Sequence, residues 1–301
     1  MQLSLKGIFQ PPTLLNFLID SKQLAKPGLS LSVVFSSLAS YLLGVDHFDL
    51  LQFSLLGIGG FLVVGASNVF NQIIERDTDA LMTRTQQRPL PEKRMQVATA
   101  YFVGFTLGVS GLFLLYAIAP FCAYLGFIAM LLYALVYTPL KKITPLAVFV
   151  GAIPGAIPFM LGWFAATKSF GIECFFLFLV QFFWQFPHFW SIAWLQFEDY
   201  KKAGIQLLPM GEKNKKAALQ IIIYTISMLV VSILPVLKIT GKIFLHPISA
   251  GVIVISGLFM FNYSIKLYKY LDTFYAKKLM IASIFYITLV QIVYVVDKFV
   301  R

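Results

Sequence analysis

An all-α, polytopic membrane fold with nine transmembrane helices is what the sequence predicts, and three observations predict it. The chain of 301 residues is 59% hydrophobic and only 12% charged, whereas soluble domains carry about 25% charged residues. Apolar runs of about 20 residues recur along it, the length a helix needs to cross roughly 30 Å of hydrocarbon. The cations also segregate. With nine spans, all but five of the 24 Lys and Arg fall on the side that holds the N-terminus, the five being Lys168, Lys238, Lys242, Lys298 and Arg301. The positive-inside rule then places the N-terminus in the cytoplasm. The net charge of +11 is mostly a topology signal, and secondarily a pointer to anionic lipid or an anionic substrate. It makes no case for nucleic acid.

Taken in order, residues 1–28 read as a cytoplasmic N-terminal segment with Lys6, Lys22 and Lys26 but no Arg. They lack the Arg-rich character of an organellar transit peptide, so a bacterial plasma (inner) membrane is expected. Span one is placed at 29–43, where the first strongly apolar run follows Pro27, and span two at 50–72. Spans three and four, 97–117 and 121–140, are uninterrupted apolar runs. Span five, 145–166, contains GAIPGAIPFMLGW, in which Pro154 and Pro158 mark an irregular place. Gly151, Gly155 and Gly162 there allow close helix approach or a bend. Span six, 175–197, reads FFLFLVQFFWQFPHFWSIAWLQF, continuously aromatic and apolar, which argues against the alternation of a β-barrel strand. Pro187 inside it removes one helical donor. Spans seven to nine, 217–237, 244–265 and 280–296, add topology. Residues 29–301 thus read as one integral-membrane domain. Cys122 and Cys174 have no CxxC spacing, so neither a disulfide framework nor a zinc site is expected.

The long charged loops, 73–96 after span two and 198–216 after span six, lie four spans apart on the cytoplasmic side. That spacing predicts two related helical halves; the plainer reading is that every cytoplasmic loop is basic.

The first of these loops holds the densest chemistry. In NQIIERDTDALMTRTQQRPLP, a helix continued past span two puts Asn71, Glu75 and Asp79 on one face and turns Asp77 elsewhere. Carboxylates at that spacing repel each other by a few tenths of a kcal/mol. A divalent cation offsets this, and Mg²⁺ is commonly held by one or two carboxylates together with substrate phosphate. Arg76, Arg84 and Arg88 follow, and guanidinium groups match phosphate oxygens. Spacing alone fits equally an exposed amphipathic loop whose acids pair with its arginines and contribute little.

The residue order resembles the first signature of the UbiA-type intramembrane prenyltransferases, which opens with Asn, carries acids four and eight residues later, and continues with Arg-Thr and Arg-Pro. Here these are Asn71, Glu75, Asp79, Arg84-Thr85 and Arg88-Pro89. The resemblance implies nine helices around a central cavity and Mg²⁺-assisted ionisation of a polyprenyl diphosphate. Gln72 and Glu75 stand where the aromatic-acid branch usually has Asp, which is similar to the heme-modifying branch. After span six, Gln196 and Tyr200 occupy the positions of the aromatic-acid branch's DxxxD pair. Pro187-His188-Phe189, Asp199-Tyr200 and Gly204 to Pro209 resemble the heme branch. Lys26-Pro27, Tyr137-Thr138-Pro139-Leu140-Lys141 and Gly162-Trp163 extend the resemblance over roughly residues 22–210.

What the resemblance implies is transfer of a farnesyl group from farnesyl diphosphate to a vinyl group of heme B, with addition of water, giving heme O and diphosphate. Asn71, Glu75 and Asp79, with Asp199, would hold Mg²⁺. Arg76, Arg84, Arg88, Lys141 and Lys202 would neutralise the leaving group, and Tyr137 would bind diphosphate with Lys141. His188 reads either as a core histidine bonded to a carbonyl or a glutamine, or as a contact to heme iron or a propionate. Membrane lipid, and a heme A synthase or terminal oxidase that uses the product, are the implied partners. The rivals are a prenyltransferase for an aromatic or quinone precursor and a non-catalytic heme transporter or assembly factor.

Overall fold

The computed structural model describes residues 13–300. Residues 1–12 of the N-terminal segment, with Lys6, and Arg301 lie outside the described residues. Nine helices among the described residues are long and apolar enough to cross a membrane. They are α2 (Pro27–Gly44), α3 (Leu50–Asp79), α4 (Val97–Ile118), α5 (Pro120–Leu131) extended to Leu140, α7 (Ala147–Thr167), α8 (Ile172–Leu195), α10 (Lys215–Ile233) extended to Leu237, α11 (Pro247–Tyr270) and α12 (Thr273–Val300). The remaining short helices are α1 (Leu14–Ala25), α6 (Thr138–Leu140), which ends the fourth span, and α9 (Phe197–Lys202).

Consecutive spans pack side by side, and the chain closes where α12 meets both α8 and α2 while α2 lies along α7. The packing logic is that of a bilayer. On α4, which packs on α3, four of the six buried positions are small, Ala100, Gly104, Gly108 and Gly111. Phe102, Phe105, Val109 and Phe113 are exposed at helical spacing. Small residues let backbones approach where lipid supplies no hydrophobic drive between helices. The most buried span is α7. A Cβ on its Gly162 would lie 1.9 Å from the carbonyl oxygen of Ser37 on α2, so that crossing requires glycine.

Four features depart from the expected spans. The segment before span one is helical: the Thr13 hydroxyl accepts from the amide of Asn16 to start α1, and Asp20 turns inward to pair with Arg94. The second span runs seven residues past its predicted end at 72, because the charged residues that end its apolar run still form helix. The ninth span begins at Thr273 and runs to Val300, beyond 280–296 at both ends. The irregular turn is not at the prolines of spans five and six, whose helices α7 and α8 each run through them. It lies in span four, where Leu132–Tyr137 widen into a π-turn before α6. Pro139, which has no N–H to give the ladder, follows directly.

Candidate active site

The extension of α3 carries the site. Asn71, Glu75 and Asp79 recur every four residues and are 2%, 5% and 1% exposed, so one helical face of carboxylates is buried at the end of a span. Asp77 is turned out, its side chain 86% exposed. Buried carboxylates need compensation, and two cations from elsewhere supply it. Arg88 Nη1 lies 2.6 Å from Asp79 Oδ2. Lys141 Nζ, just past the π-turn, lies 2.5 Å from Glu75 Oε1. Asn71 Nδ2 donates to Glu75 Oε2 at 2.8 Å and to Thr138 Oγ1 at 3.0 Å. The loop after α3 folds back to make this possible: the Thr85 hydroxyl donates to the carbonyl of Asp79 at 2.9 Å.

Tyr137 stands beside this cluster. Its ring lies 4.9 Å from Lys141 Nζ and 5.5 Å, centroid to centroid, from that of Tyr133. Gly151 on α7 leaves room for it, since a Cβ there would come within 2.6 Å of the Tyr137 ring. Burial alone would lower the pKa of Lys141, but the Glu75 carboxylate against it holds that ammonium above its ordinary value.

Lys26 is a member that spacing arguments did not assign. It joins α1 to α2 in a left-handed conformation, φ 47°, within the field of Arg88, Lys141, Asp79 and Glu75. Burial, followed by the repulsion of Arg88 and Lys141, brings its pKa down to about 7. The one signal for it was its place before Pro27 in the family resemblance.

Asp199, the acid expected to assist the metal, lies on α9. Its Oδ2 accepts the backbone N–H of Arg84 at 3.2 Å, and Lys202 Nζ lies 3.4 Å from its Oδ1. Lys202 also reaches Thr83 Oγ1 at 3.4 Å. Partial desolvation raises the pKa of Asp199, yet the Arg84 amide, the Thr83 hydroxyl and Lys202 together hold it below the usual carboxylate range. Asp199 thus clasps the segment after span six to the segment after span two. It is not gathered with Glu75 and Asp79, and among the described residues no three of His, Cys, Asp and Glu come together as a metal group. The Arg84 side chain is exposed. Arg76 pairs with Asp77 at 3.5 Å on the outer face, because one residue past Glu75 is a 100° step around the helix. His188 sits on another seam: its Nδ1 is 2.9 Å from Ser283 Oγ on α12, and its ring stacks 4.7 Å from Trp184.

The donor set fits a hard divalent cation bound partly by substrate. Two oxygens in the cluster have no partner among the described residues: the buried Asp79 Oδ1 and the amide oxygen of Asn71. With Glu75 between them, they make one or two carboxylates and a carbonyl, the protein share of a Mg²⁺ shell that phosphate and water complete.

A buried acidic helix face with Arg88, Lys141 and Lys26 about it, at one end of a nine-span bundle, could hold an anion and a cation together. The model of the UbiA prenyltransferase family matches residues 33–290. The chain belongs to that family. Among its curated relatives, a protein named protoheme IX farnesyltransferase from Flavobacterium psychrophilum is 53% identical over 96% of this chain and 98% of its own. One of the same name from Christiangramia forsetii is 54% identical over 95% of each. Solved UbiA structures share the fold. The digeranylgeranylglyceryl phosphate synthase superposes with a TM-score of 0.77 at 20% identity, over 95% of this chain and 99% of that one. A UbiA homolog from Archaeoglobus fulgidus bound to GPP and Mg²⁺ gives 0.67 at 17% identity, over 91% and 99%. As a UbiA member with nine apolar helices, the chain is a multi-pass membrane prenyltransferase.

Proposed function

We propose that this chain farnesylates heme B, joining the farnesyl group of farnesyl diphosphate to a vinyl group and adding water, to give heme O and diphosphate. The observation that carries this is identity of 50–54% over nearly the whole chain with three proteins named protoheme IX farnesyltransferase. The site independently supports the diphosphate part of this reading, since Arg88, Lys141 and Lys26 suit an anion better than any neutral group.

In this reading Arg88, Lys141 and Lys26 bind the diphosphate and oppose the charge that develops on it as the allylic C–O bond breaks, the place where fixed charge accelerates most. Mg²⁺, held by Asn71, Glu75 and Asp79, supplies further charge neutralisation on the leaving group when bound. Arg84 and Lys202, on the two segments that Asp199 joins, are the further cations assigned to the leaving group. Tyr137, with its ring 4.9 Å from Lys141 Nζ, binds the diphosphate with that lysine. The allylic carbon is attacked by the vinyl π bond, and water adds to the resulting carbocation with loss of a proton. His188, half-buried on the α8–α12 seam beside Trp184, is the residue assigned to heme contact. This reading has this end of the bundle, and the N-terminus, in the cytoplasm of a bacterium with the chain in its plasma membrane, an orientation that the cation-rich loops support. Residues 29–301 act as the catalytic domain, and a heme A synthase or terminal oxidase takes the product.

The test is a mass-resolved assay of purified protein with heme B and farnesyl diphosphate, with and without Mg²⁺. A Mg²⁺-dependent product heavier than heme B by farnesyl plus water is expected. Prenylation of a hydroxybenzoate or naphthoate instead would move the acceptor to the aromatic class. Heme binding with no diphosphate released would make the chain a carrier.

A further inference from the structure

We propose that Thr138 is a positioning residue that fixes which way round the Asn71 amide sits, so that its carbonyl oxygen, and not its NH2, faces the metal and diphosphate. The inference rests on the diphosphate–Mg²⁺ reading above and adds a residue to it.

A threonine hydroxyl has one hydrogen to donate, and that of Thr138 goes to the carbonyl of Tyr133 at 2.8 Å. Toward Asn71 it is therefore an acceptor. The other neighbour of the same end of Asn71 is Glu75 Oε2 at 2.8 Å, and a carboxylate paired with Lys141 accepts only. Two acceptors on one side require the amide NH2 there, since which end of an amide is nitrogen is decided by its hydrogen-bond network. The carbonyl oxygen is left on the opposite side, where no described residue donates to it. An amide oxygen is a ligand for a hard divalent cation, whereas an amide NH2 is not.

The π-turn sets which carbonyl takes the hydroxyl proton. The backbone N–H of Thr138 reaches back five residues to the same Tyr133 carbonyl, so both donors of Thr138 converge on one oxygen. In an unbroken α-helix that N–H would bond Ala134, four residues back. The hydroxyl would then donate to a carbonyl of that turn instead.

The experiment compares Thr138→Val, which keeps the shape and removes the hydroxyl, with Thr138→Ser, which keeps it. Mn²⁺ binding to purified protein is followed by electron paramagnetic resonance with inorganic diphosphate present. Loss of a group that orients a metal ligand typically costs 10–100-fold in metal affinity. Thr138→Val is expected to weaken Mn²⁺ binding by about tenfold or more and to raise the Mg²⁺ concentration for half-maximal turnover, with kcat largely restored at saturating Mg²⁺. Thr138→Ser should restore both. Equal losses in the two variants, or parent-like affinity in Thr138→Val, would overturn the proposal and leave Thr138 a packing residue while the metal site stands. If the parent protein itself binds no Mn²⁺ with diphosphate, the metal reading falls and this inference with it.

Discussion

Replacing Lys141 by Met separates what the Glu75–Lys141 pair does for the fold from what it does for catalysis. The two charges are 2.5 Å apart with side chains only 7% and 10% exposed. Removing one partner of such a pair typically costs about 3–5 kcal/mol, because the other charge stays buried without compensation; replacing both with apolar groups of similar volume is often nearly neutral. In Lys141→Met, Glu75 keeps only the Asn71 amide. The single variant is therefore expected to lose about 3–5 kcal/mol in equilibrium unfolding in mixed micelles. The double variant Glu75→Gln/Lys141→Met should recover most of that. Diphosphate release, measured on the same preparations, should stay low in both, since the recovered fold still lacks the cation at the leaving group and the acid at the metal. The reasoning is refuted if the single variant is as stable as the parent, or if the double variant is no more stable than the single.

Lys26 gives a pH dependence whose sign is fixed. Its folded pKa of about 7 lies below the value of about 10.4 for an exposed lysine, so between these limits the unfolded chain binds the extra proton. Stability of the substrate-free protein should then rise with pH from about 7 to 10, and Lys26→Met should flatten the rise in an unfolding titration. Diphosphate favours protonated Lys26, so its affinity should fall above pH 7, and Lys26→Arg should move that fall to higher pH in a binding assay. Asp79→Asn should lower turnover at least about tenfold, on the order of 1.4 kcal/mol in transition-state stabilisation, in protein that still inserts; near-normal turnover would remove Asp79 from the site. His188→Ala should reduce heme affinity in a spectral titration while farnesyl diphosphate binding is retained, and unchanged heme binding would return His188 to the core.

The spans were legible because hydrocarbon thickness sets their length and leaves few alternatives. Less legible was anything that depended on partners distant in sequence. The apolar run of span two stops near residue 72, yet its helix continues to Asp79, because Lys141 and Arg88 compensate acids that composition would assign to a loop. The face shared by Asn71, Glu75 and Asp79 could be read from four-residue spacing. The same arithmetic would have excluded Arg76, which follows Glu75 directly and so points away. Asp199 was identifiable as an acid near the site, but its bond to the Arg84 amide joins two loops whose meeting no local pattern encodes. The π-turn was hidden for a similar reason: Pro139 hints at disruption, while prolines 154, 158 and 187 hint as strongly and lie in helices that run through them.

The long-range contacts at the site also set a timetable. Asn71 precedes Thr138 by 67 residues, and Arg84 precedes Asp199 by 115. At ordinary translation rates the first interval lasts roughly 3–13 s. Throughout it the end of α3 exists without the threonine and lysine that complete it, and its acids must remain in water. A nascent chain that has inserted three spans holds neither Thr138 nor Lys141, and even one that has inserted six waits for Asp199 to emerge.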